Sequence, residues 1–286
     1  MIAVGFLTHR FVLRKSPVPT YPDTIPESTR EETLANIPPF EIYPKEDNSL
    51  RPPVPNLPKP APDALPRVAI IVDDLGYDRH MAKKFLEMDA AFTFSVLPHT
   101  PYTRKIAQAI RAKGRDIMLH LPMEPLEYPR INPGPGALLT SMSPDELIEQ
   151  LKKNLAAVPG IKGVNNHMGS KMTAESSQMY QIFSILKQQG LFFVDSRSTA
   201  RTICRPSARL FQLPFAERDV FIDHVQSPEF IRKQFKKLVR IGKKYGTAVG
   251  IVHPSKTTYR VMREVLPALE KEVQLVPVSE IVNVIG

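Results

Sequence analysis

The sequence contains no tryptophan and a single cysteine among its 286 residues. One cysteine excludes an internal disulfide bond, so the cysteine content does not indicate a cellular compartment. Cys204 is followed by Arg205 and Pro206 and has no histidine or acidic residue beside it in the sequence. Reactive thiols stand next to groups that stabilise the thiolate, so we interpret Cys204 as a structural residue.

Long hydrophobic runs are also lacking. The apolar stretch from Met1 to Leu13 is shorter than the roughly 20 residues that a membrane-spanning helix needs. It also lacks the early positive charge and the small-residue cleavage site of a signal peptide. Two interpretations stay open for residues 1–15: the end of a membrane anchor, which would tether the protein to a membrane, or a disordered terminus.

The net charge is +9, and the basic residues are dispersed along the chain. A basic protein invites a nucleic-acid interpretation, but the sequence has no zinc finger, no aromatic nucleic-acid motif and no basic helix with a zipper. We therefore expect no nucleic-acid partner. The charge predicts a positive, solvated surface, with attraction to anionic glycans or lipid head groups as the alternative.

Proline is concentrated in residues 16–66, which hold 14 of the 29 prolines. Proline fixes φ and removes a backbone donor, so neither a helix nor a sheet continues through such a stretch. The composition predicts a disordered, semi-rigid linker in extended polyproline geometry. The folded domain is predicted to span residues 67–286.

From Arg67 onward, short apolar runs alternate with stretches of helical pattern. The runs are rich in β-branched residues, which predicts strands buried on both faces. The predicted strands are 68–72, 92–97, 116–119, 161–164, 191–194, 220–222, 248–252 and 273–276. The predicted helices are 79–88, 101–112, 143–157, 174–189, 228–244 and 257–270. Such alternation gives parallel βα units, so we predict an α/β fold: a distorted (β/α) barrel with seven or eight parallel strands.

Polar residues follow the predicted strands. Asp73 and Asp74 stand after the first one, where a dinucleotide-binding fold needs glycines, and this argues against that fold. In a βα barrel the C-terminal ends of the strands meet at one rim and build the active site. Five of the seven histidines follow predicted strands: His99, His120, His167, His224 and His253. Imidazoles and carboxylates are the ligands of hydrolytic zinc, so the pattern predicts a divalent-metal site at this rim.

Five segments, in this order, resemble the divergent polysaccharide deacetylase family. They are Asp73-Asp74-Leu75-Gly76-Tyr77, His120-Leu121-Pro122-Met123-Glu124-Pro125, Asn166-His167-Met168-Gly169-Ser170, Phe193-Val194-Asp195-Ser196 and His253-Pro254. The resemblance covers almost all of residues 67–286. It implies a distorted (β/α) barrel related to the carbohydrate-esterase deacetylases, a metal site, and a domain often exported to the periplasm or cell envelope.

The resemblance also implies roles for single residues. Asp74 would bind the metal, and Asp73 would accept a proton beside it. His253 would protonate the leaving group. Asp195 would orient His253 or hold substrate.

One position departs from the superfamily pattern. His120 stands where a pair of histidines is expected, but Glu124 occupies the place of the second. His167 is the implied replacement, so Asp74, His120 and His167 form the expected ligand set for one divalent ion, with Zn²⁺ as the expected metal. Triads in which His253 or Glu124 replaces His167 are the alternatives, as are three unrelated rim residues bonded to backbone. The substrate contacts are expected from Glu124, Asn166, Ser170 and Arg197.

These residues favour a metal-dependent hydrolase that deacetylates a saccharide, or another small acetylated substrate, of the cell envelope. The alternative is a non-catalytic metal-containing barrel that binds glycans or serves as an envelope scaffold. The missing histidine favours this alternative, and so does the lack of tryptophan, a large aromatic residue suited to stacking on sugars. A hydrolase of phosphate or amide substrates would use the same rim.

Overall fold

A computed structural model describes residues 64–285. The predictions for residues 1–15, and for all but the last three residues of the linker, concern the chain outside this range. Within it, ten strands form one sheet. The strands are β1 (Arg67–Leu75), β2 (Thr93–Val96), β3 (Asp116–Met123), β4 (Gly163–Met168), β5 (Phe192–Asp195), β6 (Pro214–Glu217), β7 (Val220–Phe221), β8 (Thr247–Val252), β9 (Gln274–Leu275) and β10 (Asn283–Val284).

The strand order is β10-β6-β5-β4-β3-β2-β1-β8-β7, and β9 pairs with the first two residues of β1. Only β10 and β6 pair antiparallel among these described strands. The eight strands from β6 to β7 along this order are parallel. These eight strands correspond to the seven or eight parallel strands predicted for the barrel, and the short β9 adds a ninth parallel strand beside β1.

Seven helices lie between the strands in the described range. They are α1 (Arg79–Leu86), α2 (Thr103–Ala112), α3 (Pro144–Ala157), α4 (Ser176–Gln188), α5 (Cys204–Phe211), α6 (Pro228–Tyr245) and α7 (Lys256–Leu269). Local sequence explains their ends: Ser143 and Glu146 form a capping box at the start of α3, and Gly246 takes a left-handed conformation after α6. None of the helices in the described range has the length and apolar character needed to cross a membrane.

The sheet curls into a distorted barrel. Side chains from strands that are not neighbours pack together in one inner cluster, which includes Ile71 of β1, Val194 of β5 and Phe221 of β7. A larger cluster joins the outer face of the sheet to the helices, as Val72 of β1 and Phe85 of α1 illustrate. The eight parallel strands from β6 to β7 are thus buried on both faces, which confirms the predicted fold class.

The inner face of the barrel changes from apolar to polar along each strand. Side chains alternate between the two faces, so inner positions recur at every second residue. The inner cluster contains Ile71 of β1, Met118 of β3 and Ile251 of β8. The next inner positions toward the C-terminal ends are Asp73, His120 and His253, all buried. The polar rim is therefore a continuation of the barrel interior.

Candidate metal centre

The backbone at the end of β1 brings two consecutive acids to the rim. Asp73 occupies an inner position, whereas Asp74 would point to the opposite face in a regular strand. The pairing of β1 with β2 shifts register between Val72 and Leu75, and Asp74 has a φ of 54°. This left-handed conformation is uncommon for a residue other than glycine. The left-handed backbone of Asp74 breaks the alternation of side chains, so the Asp74 carboxylate also reaches the rim. Backbone outliers of this kind are concentrated at functional sites.

Three donor atoms from Asp74, His120 and His167 meet at this rim. Asp74 Oδ1 lies 3.0 Å from His120 Nε2 and 2.9 Å from His167 Nδ1. The two ring nitrogens are 3.1 Å apart. Ligand atoms about 2.0 Å from a tetrahedral zinc ion lie about 3.3 Å from one another, so the spacing is close to that of a metal site. The structure thus brings together the expected ligand set.

The chemistry of these donors fits a divalent cation. Burial works to raise the pKa of Asp74, but the imidazoles of His167 and His120 hold that pKa well below its usual range. Burial lowers the pKa of His167. An ionised carboxylate beside a neutral imidazole is the protonation state that binds a metal. Asp74 Oδ1 is buried and has no well-aligned hydrogen bond, although two ring nitrogens lie within 3.0 Å of it. Close donor atoms without a hydrogen bond between them are expected where the atoms share an ion.

The rival triads are not formed. The Glu124 carboxylate accepts hydrogen bonds from the backbone N–H and hydroxyl of Thr140, at 2.5 and 2.7 Å, and from Lys171 Nζ at 2.7 Å. Burial works to raise the pKa of Glu124, but these donors lower it. His253 Nε2 lies 3.9 Å from Asp74 Oδ2 and is therefore beside the triad. Through its hydrogen bonds with Thr140, Glu124 links the end of β3 to the segment that contains Thr140.

His253 is held by a carboxylate of its own. Its ring Nδ1 lies 2.9 Å from Asp223 Oδ1, and its backbone N–H donates to Asp223 Oδ2 at 2.7 Å. The Thr258 hydroxyl donates to the same oxygen at 2.7 Å. Burial works to lower the pKa of His253, but Asp223, together with Asp74 and Asp73, raises it to about 10. His253 is therefore protonated at neutral pH.

Aromatic packing fixes the plane of the His253 ring. The Phe221 ring stacks on it at a centroid distance of 5.3 Å and an interplanar angle of 8°. The Arg218 guanidinium lies over Phe221, with its central carbon 4.4 Å from the ring centroid. Arg218 is anchored in turn by the backbone carbonyls of Ser196 and Arg197. The Asp223 carboxylate thus holds the edge of the His253 ring, and the stacked Phe221 ring holds its face.

Asp73 is fully buried, and both of its oxygens accept from the Asn165 amide, at 3.0 and 2.9 Å. Its Oδ2 atom lies 3.9 Å from His120 Nδ1. Burial, with a further contribution from Asp74, raises the pKa of Asp73 despite the lowering effects of His120 and His253. A carboxylate with a raised pKa is a stronger proton acceptor, which agrees with the role expected for it.

The structure places the Asp195 carboxylate in the turn after β5. Its Oδ1 accepts from the backbone N–H of Arg197 at 2.7 Å, and its Oδ2 accepts from the Thr202 hydroxyl at 2.7 Å. These bonds close the turn after β5. Asp195 was expected to orient His253 or to hold substrate, and the carboxylate that contacts the His253 ring is that of Asp223.

The expected substrate residues differ in their accessibility. Asn166 is fully buried, and its amide bonds to the Met168 carbonyl and the Ser196 N–H, both at 2.8 Å, which argues against substrate contact. The Ser170 hydroxyl accepts from the backbone N–H of Leu126 at 3.0 Å. The Arg197 side chain is 23% exposed and lies 3.8 Å from Glu217. Of these three, Arg197 reaches solvent with a charged group.

The other rim histidines do not join the triad. His99 is exposed, and its Nε2 lies 2.9 Å from Asn154 Oδ1. His224 Nδ1 lies 3.3 Å from the Phe221 carbonyl, and its ring meets the edge of Phe230. Both histidines follow strands, as predicted, and the His224 ring also meets the Phe221 ring edge to face.

Two residues of the site received no role from the sequence: Asn165 and Asp223. Asp223 comes directly after the predicted strand 220–222, so its position at the rim was visible. Asn165 lies inside a buried strand, where an amide must find hydrogen-bond partners. This requirement indicates from the sequence that Asn165 has polar contacts, but it does not show which residues make them.

Comparisons with known proteins identify the family of this chain. The model of the divergent polysaccharide deacetylase family matches residues 70–282. The uncharacterized protein YibQ of Escherichia coli (strain K12) is 32% identical over 217 residues, which cover 76% of this chain and 67% of that protein. An uncharacterized protein of Haemophilus influenzae is 30% identical over 210 residues, which cover 73% of this chain and 74% of its own length.

A solved structure is also similar. The crystal structure of the uncharacterized protein ATU2773 from Agrobacterium tumefaciens C58 superposes with a TM-score of 0.73 at 26% sequence identity. The superposition covers 77% of this chain and 91% of that one. The family match spans most of the sequence, including every residue of the site described above. The chain therefore belongs to the divergent polysaccharide deacetylase family.

Proposed function

We propose that this domain is a zinc-dependent hydrolase that removes an acetyl group from a saccharide of the cell envelope. Membership of the deacetylase family supports the reaction class. The observation that carries the proposal is the meeting of three chemical functions at one rim. These are a set of donor atoms for an ion, a buried carboxyl group with a raised pKa, and a protonated imidazole.

Asp74, His120 and His167 would hold the ion. Two nitrogens and one oxygen are a ligand mix suited to hydrolytic zinc, and three protein ligands leave a position for water or substrate. When bound, zinc supplies a Lewis acid that polarises a carbonyl group and lowers the pKa of water. Asp73 and His253 then provide the two proton transfers: Asp73 takes a proton from water, and His253 gives a proton to the leaving group.

Asp73 accepts the proton of the attacking water as its oxygen bonds to the acetyl carbon. His253 donates a proton to the amine nitrogen or alcohol oxygen as the bond from that atom to the acetyl carbon breaks. The products are acetate and the free amine or alcohol. Asp223 keeps His253 charged before the transfer and keeps its Nδ1 edge fixed, so that Nε2 faces the Asp74 side of the rim. Arg197, which carries its charge to the solvent-facing part of the rim, is our proposed substrate contact.

The test is acetate release by the zinc-loaded protein from a panel of N- and O-acetylated saccharides. We expect release from at least one member and its loss in Asp73→Asn at saturating zinc. Asp78→Asn is the matched control, because Asp78 caps α1 and asparagine caps a helix equally well. No release from any member by fully loaded protein would contradict the proposal. Saccharide binding that survives in Asp73→Asn, without release by either protein, would favour the non-catalytic scaffold.

A further inference from the structure

Asn165, on the inner face of β4, is a buried amide whose hydrogen-bonding capacity is completely used. Its Oδ1 accepts from Ser95 Oγ at 2.5 Å and lies 3.0 Å from His120 Nδ1. Its Nδ2 donates to both oxygens of Asp73 and reaches Ser196 Oγ at 3.4 Å. An amide has two donor hydrogens and two acceptor lone pairs, and each has a partner here.

These partners determine which way the amide faces. An ionised carboxylate only accepts hydrogen bonds, so the NH₂ group of Asn165 must face Asp73. The carbonyl oxygen therefore faces His120, and the His120 Nδ1 atom must carry a proton to donate to it. In a neutral ring the lone pair is then on Nε2. This is the atom that lies 3.0 Å from Asp74 Oδ1 and 3.1 Å from His167 Nδ1.

We propose that Asn165 is a positioning residue that couples Asp73 to the metal ligand His120. It keeps His120 in the one neutral form whose lone pair faces the donor set, and it holds the Asp73 carboxylate in one orientation. Partners of this kind orient metal-binding histidines and change metal affinity when they are removed. The inference rests on the proposed metal site but not on the identity of the substrate.

The experiment compares Asn165→Leu, which keeps the side-chain size and removes the polar atoms, with wild-type protein. Zinc affinity is measured by competition with a chelator. The ring ¹⁵N shifts of His120 are measured by NMR in metal-free protein. We expect zinc affinity to fall by about 10-fold to 100-fold and the Nδ1–H form of His120 to lose its dominance. A purely structural role would not change the ring nitrogen shifts in a protein that still folds.

Asn154→Leu is the matched control. Asn154 is also fully buried, and its amide bonds to His99, Gln150 and the Gly136 carbonyl rather than to the donor set. This variant should keep the wild-type zinc affinity and His120 shifts. If Asn165→Leu does not fold, Asn165→Ser replaces it, because a serine hydroxyl is too short to connect Asp73 with His120.

A folded Asn165 variant with wild-type zinc affinity and wild-type His120 shifts would overturn the inference. A wild-type protein that binds no zinc would overturn it together with the metal site. Zinc binding that depends on Asn165 but is accompanied by no acetate release would uphold the inference and contradict only the proposed deacetylation. The two proposals therefore fail separately.

Discussion

Two kinds of histidine share one rim of this barrel. His120, His167 and His253 are all buried, with at most 2% of the residue exposed. Yet His253 has its pKa raised to about 10, whereas burial lowers the pKa of His167. Burial alone therefore does not decide the protonation state at this site.

All three rings meet a carboxylate, and the difference lies in how it is shared. His120 and His167 both face Asp74 Oδ1, whereas Asp223 pairs with His253 alone among these three rings. His253 Nδ1 meets the Asp223 carboxylate, which favours the charged imidazolium. His120 Nδ1 meets the neutral amide of Asn165, which accepts a hydrogen bond without adding a charge. A carboxylate of its own thus favours the charged form of His253, whereas the second partner of His120 is an uncharged amide. This contrast supports the two chemical roles that we propose without reference to any substrate.

The largest expected effect comes from removing the proton donor. His253→Gln should lower the rate of acetate release by about 10²-fold to 10⁴-fold, the contribution typical of a general acid. Zinc content should stay at the wild-type level, because His253 lies beside the triad. The rate and the zinc content are measured on the same preparation. Wild-type turnover in this variant would remove His253 from the reaction.

Changing the partner should have a smaller effect than removing the ring. Asp223→Asn gives His253 an amide partner like that of His120 and should lower its pKa. Acetate release should fall on the order of 10-fold to 100-fold, less than the full contribution of a general acid, and the pH above which activity declines should move down. Thr258→Val, which removes one donor to Asp223, should shift the profile less. An unchanged pH profile in Asp223→Asn would show that the carboxylate does not determine the charge of His253.

The same pairing predicts how stability depends on pH. The folded pKa of His253, about 10, lies above its ordinary value of about 6.5, so folded protein binds this proton more tightly than unfolded protein. The stabilisation is complete below about pH 6.5 and is lost as the pH rises through about 10. In metal-free protein the urea midpoint should fall over this window more steeply in wild type than in His253→Gln. Parallel curves would contradict the pairing.

The smallest effect on zinc binding is expected from removing the residues before the barrel. Limited proteolysis should cut between Ser16 and Pro66 and leave a folded core that begins near Arg67, because a proline-rich linker exposes its backbone. That core should bind zinc like the full chain, since every residue of the two histidine sets lies within it. A full-length chain that resists high protease would show that residues 16–66 are packed.

Much of the fold could be predicted because its signals are local. The run Val68–Val72 and the Ser143 cap each determine an element within a few residues, and the structure confirms both. Three elements were missed, one of them the two-residue strand β10. Strand β6 has four residues and begins with Pro214, and helix α5 has eight residues with Pro206 in its first turn. Short elements that contain proline have too little periodic pattern to be recognised.

The site could be predicted only in part, for a different physical reason. Asp74, His120 and His167 each stand near a strand end, and parallel strands bring such ends together. His120 and His167 lie inside β3 and β4 rather than after them, since both strands extend farther than their apolar runs. The partners Asn165 and Asp223 depend on which side chains meet across strands. Those contacts follow from register and curl, which the local pattern does not specify.

The zinc content of four purified proteins, measured by elemental analysis, separates the metal-binding histidines from His253. They are the wild type and the variants His120→Ala, His167→Ala and His253→Ala. We expect one zinc per chain in the wild type and in His253→Ala, and loss of zinc in His120→Ala and His167→Ala. Full zinc content in His167→Ala, or its loss in His253→Ala, would contradict the division of the rim into metal-binding and proton-donating histidines.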